Sequence, residues 1–362
     1  MSGERPIRAL VIDDSVFSRR TITRVLESSP LVEVVGTAHD GEDALALMFD
    51  LEPDVITLDL EMPRMDGFTF LRLVMSRRPT PVIVVSSRSR DADVFKALEL
   101  GAVDFVTKPT VAAHADLESI QRALLRKVHA IRHLRMDAVR DRIRATPARV
   151  GRFAAVDTPR VVVMGASTGG PAALMQVFGA FSQVPPCAFL VAQHMPAGFA
   201  AGFAECLDRL TCLRAAEARG GEHPEPGTIL VAPGGQHLEL QSINGRVVTQ
   251  LVASQEHEKY APSVDRLFES ASKQVANDLL AVVLTGMGDD GRQGACAVQA
   301  AGGRVIAESE DTAMIFGMPQ QAIRAGAVDQ VLPLGAIAAA IRMDPDGSRE
   351  SRQAAVSPRL QR

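Results

Sequence analysis

Three carboxylates and one ammonium, on Asp13, Asp14, Asp59 and Lys108, stand at the ends of short apolar runs in the N-terminal third of the chain. Val11-Ile12 leads into Asp13-Asp14, Val55-Ile56-Thr57-Leu58 into Asp59, and Phe105-Val106-Thr107 into Lys108-Pro109. Ser86 closes a fourth run, Pro81-Val82-Ile83-Val84-Val85. Carboxylates brought together repel one another unless a cation sits among them. An all-oxygen set suits a hard octahedral ion such as Mg2+, which also carries phosphate oxygens. The chemistry such a group supports is placement of a phosphoryl group on an aspartate.

A second set of reactive types lies further on. Val161-Val162-Val163-Met164 runs into Gly165-Ala166-Ser167-Thr168-Gly169-Gly170-Pro171. This is a strand, a turn of small residues and a helix with proline in its first turn. Small neighbours let a serine stand exposed above a sheet, and the helix start favours a developing oxyanion. The next buried run ends at Gln193-His194-Met195-Pro196, and Leu279–Leu284 ends at Thr285-Gly286-Met287-Gly288-Asp289-Asp290-Gly291. Three strand ends that offer a hydroxyl, an imidazole and a carboxylate are the parts of a nucleophilic hydrolase, whose geometry recurs in different chain orders on unrelated folds. From the residues alone either Asp289 or Asp290 could supply the carboxylate. The rival reading of Gly165–Gly170, a dinucleotide phosphate loop, lacks the GxGxxG spacing and an acid at the end of the next strand.

Both sets need the same scaffold. Short apolar runs alternating with helical patterns read as buried parallel strands, and open α/β sheets gather function outside the strand carboxyl ends. The first unit reads as five β/α repeats over residues 5–125. In the second, strands are expected at Val161–Gly165, Ala188–Gln193, Thr228–Ala232, Arg246–Leu251, Leu279–Leu284 and Arg304–Ala307. Helices are expected at Pro171–Ala180, Gly198–Arg209, Ser263–Val275, Gly291–Ala301 and Leu334–Ile341. Asn244-Gly245 between apolar runs marks a β-hairpin. The expectation is a mostly parallel, Rossmann-like sheet over 159–343 with an antiparallel insertion. Leu117 to Arg144 has helical character, and residues 126–158 read as a basic helical extension and linker. Between Arg126 and Arg152 there are nine Arg or Lys against two Asp. The tail, 344–362, reads as disordered.

Composition narrows the classes. The chain has 362 residues, 46% apolar and 23% charged, with a net charge of −4. That is ordinary for a globular protein of two or three domains. Residues 158–342 carry twelve Lys or Arg against seventeen Asp or Glu, which argues against a nucleic-acid-binding output. No apolar stretch reaches a membrane span, and the first residues lack a signal-peptide core. Cys187, Cys206, Cys212 and Cys296 show no metal or CxxC spacing and are expected to be reduced core thiols of a cytoplasmic protein.

Two resemblances sharpen these expectations. With Asp59-Leu60-Glu61-Met62-Pro63 and Met65-Asp66-Gly67, residues 5–125 resemble a response-regulator receiver domain of flavodoxin-like topology. The resemblance implies that Asp59 accepts phosphate and that Asp13 and Asp14 join it in holding Mg2+. It implies that Lys108 pairs with the phosphoryl group, that Ser86 hydrogen-bonds it, and that Phe105 is the aromatic switch residue. The whole chain resembles the chemotaxis protein-glutamate methylesterase family (CheB), on the segments around Ser167, His194 and Thr285–Gly291. Pro233–Leu238, Pro262–Asp265 and Phe316–Pro319 also fit. The resemblance implies a Ser167, His194, Asp290 triad. The backbone N–H groups of Thr168 and Met287 are the candidate oxyanion hole. It further implies hydrolysis of glutamyl methyl esters and glutamine deamidation on methyl-accepting chemotaxis receptors, with a histidine kinase as phosphodonor and no cofactor in the esterase domain. Glu258-Lys259-Tyr260-Ala261 departs from the Arg-rich sequence common at that point in the family.

Overall fold

In the computed structural model, residues 5–86, 91–108, 114–137, 139, 160–255 and 258–342 are described. Alternating elements build the N-terminal unit: β1 (Ile7–Ile12), α1 (Val16–Glu27), β2 (Val32–Ala38), α2 (Gly41–Leu51), β3 (Val55–Leu58), α3 (Gly67–Arg77), β4 (Val82–Ser86), α4 (Asp91–Glu99), β5 (Asp104–Thr107) and α5 (His114–Ala130). The sheet order is β2-β1-β3-β4-β5, with every pairing parallel. β3, β4 and β5 are buried at every position, as a sheet covered on both faces requires. Local chemistry starts the helices. Ser15, Asp40 and Asp66 cap α1, α2 and α3 by accepting backbone N–H groups of the first turn.

The second unit comprises β6 (Arg160–Ala166), α6 (Gly170–Gly179), β7 (Cys187–Gln193), α7 (Ala200–Leu210), β8 (Arg214–Glu217), β9 (Thr228–Val231), β10 (Gln236–Ile243), β11 (Arg246–Ala253), α8 (Val264–Val275), β12 (Leu279–Val283), α9 (Arg292–Ala300), β13 (Arg304–Glu308), α10 (Met318–Arg324), β14 (Gln330–Leu332) and α11 (Leu334–Arg342). Seven strands form a parallel sheet in the order β14-β13-β12-β6-β7-β9-β8. β10 and β11 pair antiparallel as a separate two-stranded sheet, turning at Asn244-Gly245, both with positive φ. The hairpin is therefore an appendage rather than a member of the main sheet. Because β12, β6 and β7 are central neighbours, their carboxyl ends converge.

Short edge elements escaped the sequence reading. β8 alternates between exposed and half-buried positions and β14 has three residues, so neither carries an apolar run. α10 has seven residues, too few for a helical period to register. Cys187 and Cys206 are buried, but Cys212 and Cys296 are exposed, the latter on the outer face of α9. The expectation of four core thiols therefore fails for two. The start of the expected linker is the end of α5 and a 3-10 turn at Ile131–His133. Arg135 then ties back to the second unit, its backbone N–H 3.1 Å from the Met314 carbonyl and its Nη1 2.7 Å from that of Glu310. The rest of the linker from 140, and the tail, lie outside the described residues.

The two units share an aromatic joint. Phe95 on α4 packs against Phe203 on α7 with ring centroids 5.2 Å apart, and Phe105 on β5 against Phe199 at 4.8 Å. All four rings are fully buried and belong to one continuous core. Aromatic pairs at this spacing add roughly 0.5–1.5 kcal/mol each beyond their buried area.

Candidate functional sites

The N-terminal acids meet as the topology requires. Asp13, Asp14 and Asp59 each offer a carboxylate oxygen within 4.8 Å of the others. Lys108 Nζ lies 2.5 Å from Asp59 Oδ2 and 3.2 Å from Asp13 Oδ2. Burial raises the Asp13 carboxyl to about 6; Lys108 opposes the rise and the Asp59 charge adds to it. Burial also raises Asp59, against the pull of Lys108. Asp13 Oδ2 is buried, and Lys108 Nζ, 3.2 Å away, is the charge that faces it among the described residues. An all-oxygen cluster whose buried carboxyls have their negative charge disfavoured fits a hard divalent cation. Ser86 ends β4 in register with Thr107, and its carbonyl accepts the Lys108 N–H at 2.7 Å. Phe105, one strand over, faces the second unit through Phe199.

In the second unit, β6 and β7 pair in register through Ala166 and Gln193, so Ser167 and His194 leave adjacent strands at the same level. The His194 N–H donates to the Ala166 carbonyl at 3.0 Å. His194 Nε2 is 2.8 Å from Asp290 Oδ2, both side chains nearly buried. The other ring nitrogen, Nδ1, is buried and has no hydrogen-bond partner among the described residues. With Nε2–H donating to the carboxylate, Nδ1 carries the ring's free lone pair. No hydrogen bond joins it to Ser167 in this structure, a looseness common in unliganded nucleophile–base pairs.

Asp290 is held by more than histidine. Oδ2 also accepts the Val264 N–H at 2.8 Å, and Oδ1 accepts the Asp265 N–H at 2.9 Å and the Ser263 hydroxyl at 3.1 Å. Those donors belong to the first turn of α8 and its cap, where negative charge is favoured. Burial alone would raise the Asp290 carboxyl, but the His194 contact and these N–H groups outweigh it and hold it below the usual range. Asp289 points elsewhere, half-exposed and 3.5 Å from Lys259.

The Ser167 turn is stitched to the β12 turn. The Ser167 N–H donates to the Thr285 carbonyl at 3.0 Å, and Thr285 Oγ1 donates to the Thr168 carbonyl at 3.0 Å. Thr285 is fully buried, and its own N–H donates to Glu308 Oε2 at 2.8 Å. Gly169 adopts φ +77°, and a Cβ on Gly286 would lie 2.8 Å from the Ser167 Cβ, so both turns require glycine. The Thr168 and Met287 N–H groups flank this seam, and neither is used in a hydrogen bond among the described residues.

Several contributors had no sequence signal of their own. Gln193 Nε2 donates to both the Ser167 carbonyl (2.9 Å) and the His194 carbonyl (3.0 Å), so one buried amide pins the two turns together. Only its adjacency to His194 could have drawn notice. Ser263 lies inside the expected helix and Glu308 just past the expected strand, and neither is marked there as a support for Asp290 or Thr285. Tyr260 lies flat against His194, ring centroids 4.6 Å apart and planes 8° from parallel.

An acidic crevice on a receiver-type sheet, joined to an α/β unit with serine, histidine and aspartate at one rim, defines a response regulator with a hydrolase-type output. The CheB methylesterase family profile matches residues 162–341, and the response regulator receiver domain profile matches residues 9–120. A protein-glutamate methylesterase/protein-glutamine glutaminase of Myxococcus xanthus is 48% identical over 94% of this chain and 98% of its own length. One from Geobacter sulfurreducens is 47% identical, covering 91% and 95%. The Thermotoga maritima CheB methylesterase catalytic domain is 39% identical, with a TM-score of 0.49, over 51% of this chain and 98% of that one. The chain belongs to the CheB methylesterase family. The dinucleotide-binding and DNA-binding alternatives are not favoured, because the segment they would occupy is matched by the methylesterase domain.

Proposed function

We propose that this protein hydrolyses glutamyl γ-methyl esters to glutamate and methanol, and deamidates glutamine by the same route, on methyl-accepting chemotaxis receptors in the cytoplasm. Supporting this reading are the relatives' names and, above all, one observation: the His194 ring is bonded to Asp290 through Nε2, its Nδ1 has no partner among the described residues, and Ser167 leaves the neighbouring strand at the same level. Ser167 Oγ attacks the ester carbonyl as its proton passes to His194 Nδ1. The tetrahedral oxyanion is received by the Thr168 and Met287 N–H groups, each such donor being worth about 10²–10³ in rate. The imidazolium, steadied by Asp290, returns the proton to the departing methoxide, or in deamidation to the amide nitrogen, which leaves as ammonia. Water then repeats the sequence on the acyl-enzyme and releases the carboxylate.

Asp59 is the phosphoacceptor. Asp13, Asp14 and Asp59 would hold Mg2+, which supplies positive charge for the incoming phosphoryl oxygens. Lys108 and Ser86 contact the phosphoryl group, and a histidine kinase supplies it. The regulatory reading rests on the joint. Phe105 packs on Phe199, five residues after His194, and α4 packs against α6 and α7, the helices that follow Ser167 and His194. New charge at Asp59 biases Ser86 and Phe105 and loosens this joint. Methanol release from methylated receptor membranes, with and without a small phosphodonor, tests the reading. Release that rises with the phosphodonor supports it, and release undiminished by Ser167→Ala would sink it.

A further inference from the structure

The segment 258–263 is a strap tied at both ends by one buried histidine. His237 is fully buried. Its Nε2 lies 2.9 Å from Glu258 Oε2, and its Nδ1 accepts the Ser263 N–H at 3.1 Å. The second bond leaves Nδ1 unprotonated, so Nε2–H donates to Glu258. Glu258 also accepts the Gln255 N–H at 2.7 Å, and its Oε1 pairs with Arg266 Nη1 at 2.7 Å. Ser263 is fixed further by its hydroxyl on Asp290. Tyr260 sits between these anchors. Its ring stacks on the His194 imidazole, and its hydroxyl abuts Gly288, where a Cβ would lie 2.3 Å from it. Gly288 directly follows Met287.

We infer that Tyr260 is a positioning residue for the esterase, holding the His194 ring plane and stabilising the charge that the ring gains during the reaction. The inference rests on the reading of Ser167, His194 and Asp290 given above. The Cβ bond and Asp290 hold the imidazole at two points, and packing on its face limits the remaining tilt of the ring plane. A parallel face 4.6 Å away, its plane within 8° of the imidazole, restricts that tilt. During the reaction the ring gains a positive charge, which an aromatic face stabilises and an aliphatic one does not. Because the strap is tied through His237 at both ends, this geometry exists before substrate arrives, so little ordering is needed during catalysis. The same ring, in contact with Gly288, also braces the turn that carries the Met287 N–H.

The test compares full-length Tyr260→Phe and Tyr260→Leu with the parent in the presence of a small phosphodonor. Two readouts are taken: kcat and KM for methanol release, and the second-order rate at which a fluorophosphonate labels Ser167. Tyr260→Phe keeps the aromatic face and is expected to retain at least half of both rates. Tyr260→Leu fills similar space without that face and is expected to lose about tenfold in kcat and in labelling rate, roughly 1.4 kcal/mol, with KM within twofold. Equal rates for the Phe and Leu variants would overturn the proposal, as would a raised KM with kcat intact, which would make Tyr260 a substrate contact. Should the parent release no methanol, the methyl-ester reading fails, while the labelling rates still decide the role of Tyr260.

Discussion

Replacing Asp290 by asparagine preserves shape and removes the charge on which the His194 geometry depends. Each carboxylate oxygen accepts one backbone N–H from the start of α8, Oδ2 from Val264 and Oδ1 from Asp265. An amide therefore turns its NH2 toward one of these donors in either orientation. One unpaired buried N–H costs about 1–3 kcal/mol of stability. If the NH2 replaces Oδ1, the Ser263 hydroxyl can reverse to accept it and His194 keeps its tautomer. Catalysis then loses the charge-assisted bond to imidazolium, about 1.5–3 kcal/mol or roughly 10- to 150-fold in kcat. If the NH2 replaces Oδ2, His194 must accept at Nε2 and protonate Nδ1, and the loss approaches about 10⁴-fold. Asp289→Asn is the matched control: its exposed carboxylate lies 3.5 Å from exposed Lys259, so kcat should stay within twofold and stability within about 0.5 kcal/mol. Methanol release and thermal melts read both effects. The melting gap between Asp290→Asn and the parent should narrow as the pH falls below about 4, because a lowered carboxyl stabilises the fold only while ionised. An Asp290→Asn enzyme within twofold of the parent, or an equal loss in Asp289→Asn, would refute this assignment.

Three further outcomes follow from the same geometry. Burial raises Asp13 to about 6, so its ionisation costs fold stability as pH rises through that value; Mg2+ removes the cost, but below it protons compete with the ion. Mg2+ affinity, followed by calorimetry, should therefore weaken about tenfold between pH 7.5 and pH 5, and a flat profile would count against Asp13 as a ligand. Gln193→Leu leaves the Ser167 and His194 carbonyls without their shared donor and should cost about 1–3 kcal/mol in melts and about tenfold or more in kcat. A fragment beginning at Arg160, freed of the Phe105–Phe199 joint, should hydrolyse faster than the unphosphorylated full chain; equal rates would remove the regulatory role of that joint.

Legibility in the sequence followed burial. β3, β4, β7 and β12 are buried at every position and announce themselves as continuous apolar runs, so the two α/β units and the strand ends that carry Asp59, Ser86, His194 and Asp290 could be placed. Edge strands β8 and β14 bury too little to leave such a mark. Adjacent acids share a turn, and only the fold shows that Asp290 turns inward to α8 while Asp289 meets Lys259. Which imidazole nitrogen stays open is set by the direction from which Asp290 approaches, a three-dimensional property with no local signature. Tyr260 and Gln193 act through contacts across 66 and 26 residues of chain, to His194 and Ser167 respectively, and no periodicity reports those. Cys212 and Cys296 show the converse, apolar residue types that the fold leaves exposed.

The central claim is that Ser167 forms the covalent bond to substrate, and covalent capture tests it most directly. The full chain is treated with a fluorophosphonate, digested and mapped by mass spectrometry, with methanol release measured in parallel. The expected result is a single adduct on the Ser167 peptide whose extent matches the loss of release, and no adduct in His194→Ala. Full methanol release after stoichiometric labelling of Ser167, or loss of release with the adduct on another residue, would contradict it.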